Sequence, residues 1–155
     1  LKVRDVLELD GMVGIVKEIG LRTSKLETRD KIIVIVPNSK FITGNVINWS
    51  HIDTKTRFSV KVGVAYRSDA RKVENILISC AKNNTKVSNS PEPFVQFKDF
   101  GESSLDFELF FFTNESFRVE NIKSQLRFDI KEAFNKNNIE IPFPQRVIHS
   151  SNSKK

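Results

Sequence analysis

Hydrophobic residues change their spacing partway along this chain, and that change limits what it can fold into. Its first part holds short β-forming runs punctuated by turn residues. Val6 to Leu9 ends on Asp10-Gly11, a hairpin dipeptide. Met12 to Ile19 follows, with Gly14 marking a bulge or a close backbone approach. Leu21 to Thr28 alternates, Arg29-Asp30 turns, Lys31 to Val36 is an apolar run, and Val46 to Trp49 closes the set. Short strands separated by turns roughly every 8–12 residues predict a small β barrel, SH3-like or Sm-like, over residues 1–52. His51 to Thr56 is polar and marks the boundary.

Beyond it, longer alternating strands are interleaved with helical stripes. Phe58, Val60, Val62 and Val64 alternate with polar or small residues. Ser68-Asp69 offers a cap to a helix with Val73, Ile76, Leu77 and Cys80 on one face. After Pro91 and Pro93 come the strands Phe94 to Lys98 and Leu105 to Phe111. Asn114 to Ser116 is expected to cap a second helix whose stripe is Val119, Ile122, Leu126, Ile130, Ala133 and Phe134. Ile139 to Ile141 reads as a final strand stopped by Pro142. The order β-α-β-β-α-β is ferredoxin-like, over residues 57–144. Residues 145–150 read as a short extra strand without a partner in the same chain, and 151–155 as a disordered tail.

The chemistry of the sequence is sparse. Its 155 residues carry a formal charge of +6. Half of that is Arg146, Lys154 and Lys155, after the last acid, Glu140. One cysteine, Cys80, excludes an internal disulfide and reads as a small core residue. His51 and His149 make no metal-ligand spacing with it. There is no nucleophile triad, P-loop or dinucleotide turn, so neither an enzyme nor a cofactor is expected. No run approaches the roughly 18 apolar residues of a membrane span. The chain opens at Leu1 within an already patterned segment, so a longer parent is expected.

Nucleic acid is the rival partner. Phe107, Phe110, Phe111 and Phe112 could stack bases, as on ferredoxin-like sheets. Against this, the RNP1 pattern is missing and Asp106 and Glu108 on the same strand would repel phosphate. The expected arrangement is Phe107 and Phe111 in the core and Phe110 and Phe112 against a neighbour, with no nucleic acid bound.

Three fragments occur in family order. Val3 to Ser50 contains G-x-V-x-x-I from Gly14, Arg22-Thr23, and I-V-P-N-x-K from Ile35, before Asn48-Trp49-Ser50. "VGVAYRSD" begins at Val62, and "IEIPFPQR" ends at Arg146. Together they resemble the cytoplasmic part of the small-conductance mechanosensitive channel (MscS) family. The resemblance implies a homo-heptameric channel at the cytoplasmic face of the inner membrane. Its transmembrane helices would precede Leu1. This part would form a vestibule crossed by ions and osmolytes through side portals, and the parent would open under tension on hypo-osmotic shock.

The resemblance also implies roles for particular residues. Pro37, Asn38, Ser39 and Lys40 would face the pore-lining helix, with Asn38 offering both a donor and an acceptor; Ser39 stands where some relatives carry Gly. Arg57, Ser59 and Lys61 would lie near a portal and favour anions or zwitterions, or would simply form the solvent face of their strand. Arg146, Val147, Ile148 and His149 would contribute a strand to a small barrel closed by the oligomer. An RNA-binding module and a soluble oligomeric scaffold remain the alternatives.

Overall fold

A computed structural model describes residues 1–50 and 55–151. The first domain is one antiparallel sheet. Its strands are β1 (Val6–Leu9), β2 (Met12–Ile19), β3 (Thr23–Thr28), β4 (Ile33–Pro37) and β5 (Val46–Asn48), in the order β4-β3-β2-β1-β5. A single helical turn, α1 (Lys40–Thr43), joins β4 to β5. Leu9 pairs with Met12, so Asp10 and Gly11 form a two-residue hairpin loop, and both have positive φ as such a turn requires. The alternating residues Leu7, Leu9, Val16, Leu26 and Val36 point inward as the core, with Met12, Val34, Phe41 and Val46 packed against them. The register shift in β2 falls between Val16 and Glu18. Gly14 instead marks a close approach: a Cβ there would lie 3.3 Å from the Glu27 carbonyl oxygen. The predicted strand at Lys31 begins two residues later, because Lys31 takes positive φ and the Ile32 N–H bonds the Thr28 hydroxyl.

The second domain has a three-stranded antiparallel sheet of β6 (Thr56–Val64), β7 (Phe94–Phe100) and β8 (Leu105–Thr113), in the order β6-β8-β7. Helices α2 (Ala70–Asn83) and α3 (Val119–Lys136) pack on one face. Val60, Val64, Leu105, Phe107, Leu109 and Phe111 meet Val73, Leu77, Leu126, Ile130 and Phe134 in one core. The Asp69 carboxylate caps α2 by accepting from the N–H groups of Arg71 and Lys72.

Two local expectations change. The predicted cap at Asn114 to Ser116 does not form: Ser116–Arg118 is a 3-10 turn leading into α3, and neither flanking residue gives a side-chain cap. The expected last strand, Ile139 to Ile141, is not a ladder. Ile139 is buried, and the Glu140 carbonyl accepts one hydrogen bond, at 2.9 Å, from the Ala65 N–H just past β6. The segment therefore sits where the ferredoxin-like order needs it, beside β6, but Pro142 ends it before a second bond forms. The two domains meet where Trp49 packs edge-on against Phe58 at 5.7 Å and the Arg29 Nε–H donates to the Phe117 carbonyl at 3.0 Å. His51 to Thr54 of the expected boundary, and all but Ser151 of the expected tail, lie outside the described residues.

Candidate functional site

The Pro37–Lys40 segment is a clasp. Pro37 closes the edge strand β4 opposite Thr23, a position where a missing N–H costs little. Asn38 then ties the segment to the β2–β3 turn with three bonds of 2.8 Å each. Its N–H donates to the Arg22 carbonyl, its Nδ2 donates to the Gly20 carbonyl, and its Oδ1 accepts from the Ser24 hydroxyl. The backbone then turns into α1, with the Asn38 carbonyl accepting from Phe41 and the Ser39 carbonyl from Ile42 and Thr43. Lys40 pairs with Asp10 at 3.3 Å. Asn38 thus spends one donor and one acceptor inside its own domain. An amide has two hydrogens and two lone pairs, so one of each is left over from these side-chain bonds. Sequence reasoning missed Ser24 and Gly20. Ser24 carried the available signal: it takes an inward position of β3, is fully buried, and a buried hydroxyl needs a partner.

Arg57, Ser59 and Lys61 lie together on the sheet face turned away from the helices, opposite Phe112, Phe110 and Glu108 of β8. The Arg57 guanidinium sits 4.9 Å over the Phe110 ring, which stacks on Phe94 at 4.9 Å. Phe110 is therefore buried, as Phe107 and Phe111 are on the helix side, and offers no free face for a base. The Ser59 hydroxyl donates to Glu108 at 2.6 Å, and Lys98 approaches the same carboxylate at 4.0 Å. A surface cavity of about 330 Å³ opens here, lined by Lys61, Lys98, Asp99, Asp106 and Glu108. Arg57, Lys61 and Lys98 on this face are thus matched in number by Asp99, Asp106 and Glu108, although Arg57 itself lies over an aromatic ring.

Arg146 to His149 have no regular secondary structure and are exposed, with Val147 and Ile148 bare to solvent. No backbone ladder forms there within one chain. The Gln145 N–H donates to the Ser103 hydroxyl at 3.0 Å, anchoring the point where this segment leaves the domain.

Among the described residues no group of three His, Cys, Asp or Glu side chains could hold a metal, and no helix is long and apolar enough to cross a membrane. Cys80 is buried, and desolvation pushes its thiol above the ordinary range, with Asp129 adding to the effect. Such a thiol is held in its unreactive form.

Comparison with known proteins accounts for both domains. Residues 1–51 match the family described as "Mechanosensitive ion channel, beta-domain", and residues 58–141 match "Mechanosensitive ion channel MscS, C-terminal". The chain is 34% identical over 154 residues to the mechanosensitive channel MscK of Escherichia coli, covering 99% of this chain and 14% of that protein. It is 33% identical over 153 residues to an uncharacterized MscS family protein of Archaeoglobus fulgidus, covering 98% and 53% respectively. The crystal structure of Helicobacter pylori MscS in its closed state superposes with a TM-score of 0.85 at 29% identity, over 99% of this chain and 60% of that one. The chain thus spans about half, or much less, of the curated relatives it matches.

Proposed function

The chain belongs to the MscS family of mechanosensitive ion channels, and on that premise we propose that it builds the vestibule on the cytoplasmic side of such a channel. The family is one of channels and not of enzymes. The observation that carries the reading is the joint match: both domains, in family order, with a fold shared over 99% of the chain with a closed MscS. In this reading the pore belongs to membrane helices outside the given sequence. The parent is a homo-heptamer in the inner membrane that opens under tension and releases osmolytes on hypo-osmotic shock. Patch-clamp recording of the full-length parent, in a membrane free of other such channels, tests it. Tension-gated current is expected; silence from protein shown to be in the membrane would overturn it.

Within this reading, the Pro37–Lys40 clasp couples the vestibule to the pore-lining helix, using the donor and acceptor that Asn38 has left. Asn38→Ala should change open lifetime or inactivation, and unchanged kinetics would remove the coupling role. Arg57, Ser59 and Lys61 line a route for solutes. Because Glu108 opposes Lys61 and Asp106 lines the same cavity, anion preference should be weak, and reversing Lys61 to Glu should shift the reversal potential toward cations.

A further inference from the structure

Helices α2 and α3 turn their apolar stripes to the sheet, and a groove runs between their outer sides. It opens as two cavities of about 550 and 380 Å³ that share Asn83 and Asp129. Each volume lies within the range of ligand sites. Lys72 and Asn75, near the start of α2, lie across from Lys136 and Asn137, at the end of α3, so the helices run antiparallel along the groove. Ile76, Cys80, Ile122 and Ala133 supply its apolar part.

The polar lining is periodic. Asn75, Ser79 and Asn83 follow one another four residues apart on α2, and Asn121, Gln125 and Asp129 do so on α3. Four residues advance a helix by about 6 Å, and two residues advance an extended chain by about 6.6 Å. Successive rungs therefore meet successive peptide groups along one edge of an extended chain. A carboxamide offers the donor and the acceptor that a peptide group requires. Gln125 donates to Asp129 at 2.9 Å, while the amides of Asn75, Asn83 and Asn121 have no partner among the described residues. The charges are ordered as well. Glu132 pairs with Lys136 at 3.2 Å, and Glu115 with Lys86 at 3.1 Å. Lys72, Asp129 and Arg118 line the groove without an ion pair among the described residues. Asp129 lies near enough to Cys80 to help raise its thiol, so it sits over the middle of the groove. The Lys72 ammonium donates to the Asn137 carbonyl at 3.4 Å, level with the end of α3 and about 12 Å along the groove from Asp129. Arg118 lies about 16 Å from Asp129 in the other direction.

We propose that this groove docks an extended peptide segment of a partner protein. The carboxamide rows hold its backbone, a basic side chain meets Asp129, and acidic side chains meet Lys72 and Arg118. At about 3.3 Å per residue, one acid stands about four residues from the base and the other about five on its far side. The order acid, base, acid is the complement of the groove's own charges, and the base at its centre fixes the register. The inference uses the two helices alone and stands apart from the channel reading.

Random dodecapeptides displayed on phage and selected on this chain test it. The selected peptides are expected to share a basic residue with acids about four and five residues to its two sides, the spacing set by the groove. Made synthetically and titrated by fluorescence anisotropy, they should bind roughly tenfold more weakly to Asp129→Asn, which loses a charged hydrogen bond, and roughly fivefold more weakly to Asn83→Ala. Lys131→Gln, exposed on α3 outside the groove, should leave binding unchanged. Circular dichroism checks each fold, and Asn121→Ala repeats the test should Asn83→Ala fail to fold. A selection that yields no peptide dependent on these residues, or equal affinity in the folded variants, would overturn the proposal. Self-association in sedimentation that Asn83→Ala abolishes would instead give the groove to a second copy of the chain, and would overturn it too.

Discussion

The Ser24 hydroxyl donates to the Asn38 side-chain oxygen at 2.8 Å, joining the buried face of β3 to the loop that follows β4. Ser24 is fully buried, so its hydroxyl has no water to turn to if Asn38 is lost. Asn38→Ala should therefore destabilise the first domain by about 1–3 kcal/mol, the cost of an orphaned buried donor, with the Gly20 bond lost as well. Ser24→Ala should cost less, and the double variant little more than Asn38→Ala alone. Urea unfolding of all four proteins measures this. Additive losses would mean that the two side chains do not act as a unit.

Gly101 sits where the β7–β8 connection folds tightly. A Cβ there would lie 2.6 Å from Asp106 Oδ2 and 2.8 Å from the Ser104 carbonyl oxygen, and the latter is backbone. The Gly101 N–H also donates to that carbonyl at 2.7 Å, so the turn cannot open without losing the bond. Gly101→Ala should cost about 1–3 kcal/mol. Gly63→Ala should cost less, because the nearest atom to its new methyl is the Ser104 hydroxyl, which can rotate, and the Ser104 Cβ at 3.0 Å has to give by only a few tenths of an ångström. Thermal melts of the two variants give the order, and a milder Gly101→Ala would show that the turn is looser than its geometry.

Both domains were legible because their signals are local and periodic. The stripe Ile122, Leu126, Ile130 and Phe134 was visible as an apolar repeat and lies in the second core. In the first domain the short strands and turns were visible, and the structure adds that Leu7, Leu9, Val16 and Leu26 are the side chains turned inward. What escaped is non-local or marginal. Nothing near Asn38 in sequence announces Ser24 or Gly20 as partners, since the bonds depend on strand register. The charge of the Arg57–Lys61 strand could be read, but the placing of Glu108 opposite Lys61 depends on which strand pairs with it. Asn114 to Ser116 has the composition of a cap, yet the chain enters α3 through a 3-10 turn that carries Ser116 into the interior. Ile139 to Ile141 has a strand's composition, but the proline behind it leaves room for one bond.

Glu27 gives a pH signature. The hydrogen bond from Lys31, assisted by Lys17, holds its carboxyl below the ordinary value of 4.5. A carboxyl whose folded value is depressed binds protons more readily when unfolded. Its stabilisation is thus present above pH 4.5 and is lost as pH falls through the lower folded value. The group is solvent-accessible, so the effect is small and screened by salt. Lys31→Ala should bring the Glu27 carboxyl back toward its ordinary value, as read by NMR titration. The small stability difference between the two proteins should vanish in acid and in high salt. A titration unmoved by the substitution would assign the depression to Lys17 alone.

Arg146 to His149 make their contribution, if the vestibule reading holds, only between chains. Within one chain Val147 and Ile148 are 79% and 89% exposed, and the last anchoring bond belongs to Gln145. Exposed apolar residues with unpaired backbone are unfavourable in a monomer, and closing a ring of such strands would satisfy both needs. Ending the chain after Gln145 should therefore change the unfolding free energy of a single chain by no more than about 0.5 kcal/mol. In the full-length protein the same truncation should lower the oligomer's mass or its resistance to dissociation, as read by light scattering across a dilution series. A truncated oligomer as massive and as resistant as the intact one would leave these residues without a role in assembly. A monomer destabilised by the cut would instead mean that they pack against their own domain.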